Sequence, residues 1–131
     1  KGDKNIDINL DVFIVPETTG SQKAEETRVS HSNYKFMYWT MEQQLAHHTV
    51  NGCNMNIGDV LASGTISGPT PDSFGSMLEI TWRGTKPVKL KDGSERKFIN
   101  DNDTVIVRGY CEKDGVKIGF GDCKAKVLPA T

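Results

Sequence analysis

Two groups of residues in this chain have the types and spacing for chemistry, and they lie close together. Gly64-Thr65-Ile66-Ser67-Gly68 puts two hydroxyls and a run of backbone amides into a tight bend, a concavity of the kind that holds an anionic or carbonyl oxygen. It is not a phosphate-binding P-loop, because the Gly-Lys-Ser/Thr ending is absent. A short way on, past Pro69 and Pro71, Glu79 sits among Met77, Leu78 and Ile80. Such an acid has two readings. On a strand over residues 76–82, Leu78, Ile80 and Trp82 share one face and Glu79 points to solvent from the other. If that other face lines a cleft, desolvation suits a carboxyl to proton transfer.

Other constellations carry less. His47-His48, with Cys53 nearby, invites a metal reading. Helical neighbours diverge by about 100° per residue, however, and the HExxH spacing is missing. His48 instead continues an apolar stripe and is expected to be half-buried and hydrogen-bonded. Asn100-Asp101-Asn102-Asp103 lacks the glycine and distal Glu of a calcium loop and reads as a turn. The aromatics of residues 34–39 come without a basic groove for nucleic acid, so they are expected to pack in the core.

These residues need a frame. Residues 5–16 alternate, with Ile6, Ile8, Leu10, Val12 and Ile14 on one face, the pattern of a half-buried strand. Residues 18–30 read as a polar loop or a frayed hairpin. Ser32 and Asn33 are N-cap types. Tyr34, Tyr38, Met41, Leu45 and His48 then recur at helical spacing before Asn51-Gly52, so one long helix is expected over residues 33–50. After Gly52 short strands are expected at 60–62, 76–82, 88–90, 97–99, 104–111, 116–120 and 125–128. Gly-Pro-Thr-Pro, Lys-Asp-Gly-Ser, Asn-Asp-Asn-Asp and Lys-Asp-Gly punctuate them. The expected fold class is α+β, mainly β: a mixed sandwich or roll of short strands with one long helix.

At 131 residues the chain is a single domain. Its 16 Lys+Arg against 17 Asp+Glu, without a long one-sign run, argue against a nucleic-acid arm or a membrane-surface patch. Val12-Phe13-Ile14-Val15 is far too short to span a bilayer. Cys53, Cys111 and Cys123 are odd in number and lack CxxC spacing, which points to free thiols and the cytosol. No signal peptide is visible, and a sequence without an initiator Met that begins this close to a strand is read as a piece of a longer protein.

Read in series, the motifs are more specific than any alone. Tyr38-Trp39-Thr40-Met41, Gln43-Gln44, His47-His48, Asn51-Gly52-Cys53-Asn54 and Gly58-Asp59 lead into residues 61–69. Phe74-Gly75-Ser76-Met77-Leu78-Glu79, Trp82, Gly84-Thr85-Lys86-Pro87, Gly109-Tyr110-Cys111, Ile118-Gly119-Phe120-Gly121 and Lys126-Val127-Leu128-Pro129-Ala130 follow. From about Tyr34 onward this series resembles the C-terminal part of the catalytic domain of the fumarylacetoacetate hydrolase family. The Gly-Thr-Ile-Ser-Gly-Pro loop and the Met-Leu-Glu segment resemble its fumarylacetoacetate-cleaving branch more than its shorter acylpyruvase and hydratase relatives.

The resemblance implies that residues 1–131 are a partial catalytic fold, roughly the C-terminal third of a homodimeric, cytoplasmic enzyme of tyrosine and phenylalanine breakdown. It implies hydrolysis of a carbon–carbon bond in a diketo acid. Glu79 would be the catalytic carboxylate, with Thr65 and Gly64 contacting substrate. The partner histidine of that Glu and the ligands of a divalent metal, Mg²⁺ or Ca²⁺, would lie upstream, with no metal ligand in this chain. Two alternatives stay open: a related acylpyruvate or diketo-acid hydrolase, and a non-catalytic β-rich dimerisation or binding module.

Overall fold

The computed structural model describes residues 5–17 and 25–130. Its centre is a four-stranded antiparallel sheet of β1 (Asn9–Val15), β2 (Thr27–Asn33), β5 (Thr104–Lys113) and β6 (Val116–Lys126), in the order β2-β1-β5-β6. A two-stranded ribbon of β3 (Val88–Lys89) and β4 (Glu95–Arg96) forms a second sheet, whose connecting Lys91 N–H donates to Thr27 Oγ1 of β2 at 2.9 Å. The helical elements are α1 (Met41–Val50), α2 (Met77–Ile80) and single 3-10 turns at Tyr34–Phe36 and Pro71–Ser73. The architecture is mainly β, as the turn-rich sequence implies. Among the described residues no helix is long and apolar enough to cross a membrane.

Register places Ile14 opposite Val105 and Ile106 opposite Phe13, so the two buried isoleucines lie on opposite faces of the sheet. Ile14 and Ile106 are each 1% exposed, and burying such a side chain stabilises by about 1.5–3 kcal/mol. Val12, Ile14, Val105 and Val107 share an apolar space with Met77 and Ile80 of α2, so that helix lies over the Ile14 face of the sheet. The β5–β6 hairpin turns on Asp114-Gly115, with φ of 52° and 78°. That is the left-handed pair a two-residue turn between twisted strands requires.

Several expected elements take another form. The long helix over 33–50 is two pieces. Asn33 does accept a hydrogen bond, from the Lys35 N–H, but caps only one 3-10 turn. Thr40 and Gln43 then form a reciprocal capping box that starts α1 afresh. The stop at Asn51-Gly52 is as expected, with Gly52 at φ 84°. The stripe along α1 is not core: Tyr34 is buried, whereas Phe36, Tyr38, Trp39, Met41 and Leu45 are exposed, and so is His48. The strand expected over 76–82 is α2, because Ser76 caps it and Met, Leu and Glu are good helix formers.

Residues 60–62 form no strand, and the strand expected at 97–99 is displaced to β4. The two expected at 116–120 and 125–128 merge into β6. Of the loop or frayed hairpin expected over 18–30, residues 18–24 lie outside the described residues, and 27–30 begin β2, which pairs antiparallel with β1 as a hairpin would.

The turn expected at Asn100–Asp103 is present, and it carries the main buried charge. Arg96 donates from Nε and Nη2 to the two carboxylate oxygens of Asp103, each at 2.8 Å, and the Asn100 N–H adds a bond at 2.9 Å. Burial alone pushes the Asp103 carboxyl up, but these donors outweigh it and hold the group below its ordinary range. A depressed folded value means the pair stabilises above the unfolded value near 3.8 and stops doing so as pH falls through the lower, folded one. Asp103→Asn is therefore expected to destabilise the fold by about 3 kcal/mol at neutral pH and to flatten the acid limb of stability. Urea unfolding at pH 7 and pH 3 measures both, and a variant with the parent midpoint at pH 7 contradicts the assignment.

Candidate active site

The site is built where α2 begins. Ser76 Oγ accepts the Glu79 N–H at 3.3 Å, which caps the helix, and donates to Glu79 Oε2 at 2.8 Å. Four residues are too few to make a strong helix, so this cap and the packing of Met77 and Ile80 carry the element. Ser67, from the bend at 64–68, approaches the same carboxylate. Its Oγ lies 3.0 Å from Oε1 and 2.9 Å from Oε2 of Glu79. That oxygen also accepts the Gly75 N–H at 3.1 Å.

The approach of the bend depends on Gly75. A Cβ there would lie 2.6 Å from the Ile66 carbonyl oxygen and 2.7 Å from Thr65 Cγ2. Neighbouring contacts hold both segments in place: the Gly68 N–H donates to the Ser73 carbonyl at 2.8 Å, and Ser30 Oγ donates to the Phe74 carbonyl at 2.7 Å.

Glu79 lines a concavity of about 630 Å³ with Phe74, Leu78, Trp82 and Arg83. The backbone beyond α2 is unusual. Trp82 and Arg83 have φ of 49° and 58°, followed by Gly84 at 78°. Left-handed non-glycine residues cost about 1–3 kcal/mol each when the surroundings force them. The constraint comes from Thr81, whose buried hydroxyl donates to the Met77 carbonyl at 2.7 Å and accepts the Gly84 N–H at 3.0 Å. Lys86 Nζ sits 4.7 Å above the Trp82 ring, a cation–π contact that holds the indole.

Not all expected site residues converge. Glu79 is exposed, so the desolvated-acid reading does not describe it in this chain. Thr65 is exposed, with its methyl carbon beside Gly75 rather than on the wall of the concavity. Gly64 is exposed at φ 77°. The bend meets Glu79 through Ser67, which the sequence reading left unassigned. Ser76 was missed too, although Ser-x-x-Glu is the spacing of an N-cap and its third residue. The left-handed pair Trp82-Arg83 has no signal in sequence.

His47, His48 and Cys53 are exposed, and among the described residues no three His, Cys, Asp or Glu side chains are grouped to hold a metal ion. The described residues therefore do not by themselves make a site for a divalent ion.

Residues 3–128 match the family described as fumarylacetoacetate (FAA) hydrolase, C-terminal. The chain is 57% identical to the fumarylacetoacetase of Homo sapiens over 95% of its length, and 54% identical to that of Dictyostelium discoideum over 99%. It is 48% identical to the fumarylacetoacetase of Arabidopsis thaliana over 96%. In each case it spans only 29–30% of the relative.

Gly75→Ala is expected to push residues 65–67 off Glu79 and to lower stability by about 1–3 kcal/mol, the usual effect of overpacking. A crystal structure of the variant, with the distance from Ser67 Oγ to the Glu79 carboxylate as readout, checks it. An unmoved bend contradicts it.

Proposed function

The chain belongs to the fumarylacetoacetate hydrolase family, and from that premise we propose that the protein carrying it hydrolyses a carbon–carbon bond in 4-fumarylacetoacetate, a 1,3-diketo acid, to fumarate and acetoacetate. One observation of this chain supports the reading above others. Two serine hydroxyls from different segments converge on one carboxylate in the wall of a concavity of about 630 Å³.

In such a hydrolysis, water loses a proton as its oxygen bonds to the ketone carbon, giving a tetrahedral oxyanion. The carbon–carbon bond then breaks, its electron pair leaves as an enolate, and protonation gives acetoacetate. The role of Glu79 is electrostatic. Ionised and held in place, it orients a base supplied from outside these residues and stabilises that base once it carries the proton of water, as an Asp does for a triad His. Thr65 and the amides beside Gly64 would grip a carbonyl or carboxylate oxygen of the substrate, which contributes through orientation. A divalent metal belongs to the proposal only through ligands outside the described residues.

The protein is further proposed to be a cytosolic homodimer of which these residues form part of the catalytic domain. The large apolar side chains left exposed here, among them Met41, Leu45, Ile118 and Phe120, need a cover that the rest of the protein or a second copy would supply. Sedimentation of the full-length protein at twice the monomer mass is the expected result, and a monomer would oppose it.

Glu79→Gln in the full-length protein is expected to lower kcat by about 10²–10⁴-fold while substrate affinity changes little. Steady-state kinetics alongside a direct binding measurement reads both. Turnover at the parental rate would remove Glu79 from the mechanism. In the same assay the isolated 131-residue chain is expected to be inactive, and turnover by it would mean that the site is complete within these residues.

A further inference from the structure

Glu79 is exposed, and nothing in burial alone would fix its carboxylate. The terminal torsion of a glutamate is broad and roughly two-fold, so an unrestrained one samples many directions. Here the rotation is opposed from two sides. Ser76 Oγ, already tied to the Glu79 N–H, donates to Oε2. Ser67 Oγ spans Oε1 and Oε2 at 3.0 Å and 2.9 Å.

The decisive detail is what else Ser67 does. A serine hydroxyl has one proton to give and lone pairs to accept with. The Gly75 N–H fills a lone pair of Ser67 Oγ at 3.1 Å, which leaves the proton for the carboxylate. The chain Gly75 N–H to Ser67 O–H to Glu79 therefore has a single sense. It is set by backbone that cannot withdraw while the Gly75 approach persists. Oε2 accepts from both serines and Oε1 only from Ser67, so Oε1 keeps more acceptor capacity for a further donor.

We infer that Ser67 is a positioning residue for the reaction: its Gly75-anchored hydroxyl fixes the Glu79 carboxylate so that Oε1 is the oxygen offered to the donor of the acid–base pair. This rests on the functional reading given above for Glu79. Ser67 touches no reacting atom; it acts through Glu79, and its effect falls on the step in which charge develops rather than on substrate binding.

The test is a double-mutant cycle in the full-length protein, with kcat and KM measured for Ser67→Ala, Ser67→Thr, Glu79→Gln and Ser67→Ala/Glu79→Gln. The expected result is a fall in kcat of about tenfold or more for Ser67→Ala with KM within about twofold, recovery of most of it by Ser67→Thr, and no further loss from Ser67→Ala once Glu79 is Gln. An inactive Glu79→Gln beside a Ser67→Ala at parental kcat overturns the inference and leaves the role of Glu79 standing. Additive losses in the double variant, or a loss that Thr does not recover, also overturn it, since Ser67 would then act on folding or on substrate directly. Parental kcat in Glu79→Gln overturns both.

Discussion

Everything at the candidate site depends on two backbones passing within van der Waals contact at Gly75. On one side runs the bend of residues 64–68, and on the other the segment that enters α2. Only a residue without a Cβ fits between them, because the Ile66 carbonyl occupies the place a methyl would take. That approach brings Ser67 under the Gly75 amide and over the Glu79 carboxylate. Thr81, sealed in the interior, ties the end of α2 to Gly84 and holds Trp82 and Arg83 in left-handed backbone beside the same concavity.

Charge is handled differently at the start of β5 and at its middle. The Arg96–Asp103 pair is buried and fully engaged, and removing either partner would strand a charge out of water. Arg108 is more open. It bridges Glu26, just ahead of β2, and Asp122 on β6, and both carboxylates raise its affinity for its proton. Exposed bridges of this kind contribute little stability, about 0–1 kcal/mol, but they pin the register of strands that are far apart in sequence.

What could be read in the sequence follows the range of the forces involved. β1 and the β5–β6 hairpin were legible because alternation and an Asp-Gly turn are local signals with one structural meaning. Residues 76–82 were not. Over so few positions an apolar run fits a strand or a helix equally, and only the cap at Ser76 distinguishes them. The break at residues 37–40 had its own local sign, the Thr40–Gln43 spacing, which the longer stripe obscured. Beyond Tyr34 that stripe has apolar spacing without burial, because nothing among the described residues covers α1. Glu79 and the bend at 64–68 stood out as separate features. Their connection through Ser67 is a tertiary contact, and sequence spacing carries no record of it.

β6 has eleven residues, all exposed, and forms one border of the sheet. Among the described residues no strand pairs with its outer side, and apolar Val116, Ile118 and Phe120 are exposed along it. Such a border is a template for another strand. Lys117, Asp122, Lys124 and Lys126 place charge along it, mostly of one sign, and like charges resist the stacking of identical borders. The colloidal behaviour of this polypeptide is thus governed by one strand: ionic strength that screens those lysines weakens the barrier to edge-to-edge growth, while any segment that pairs with β6 removes the template altogether.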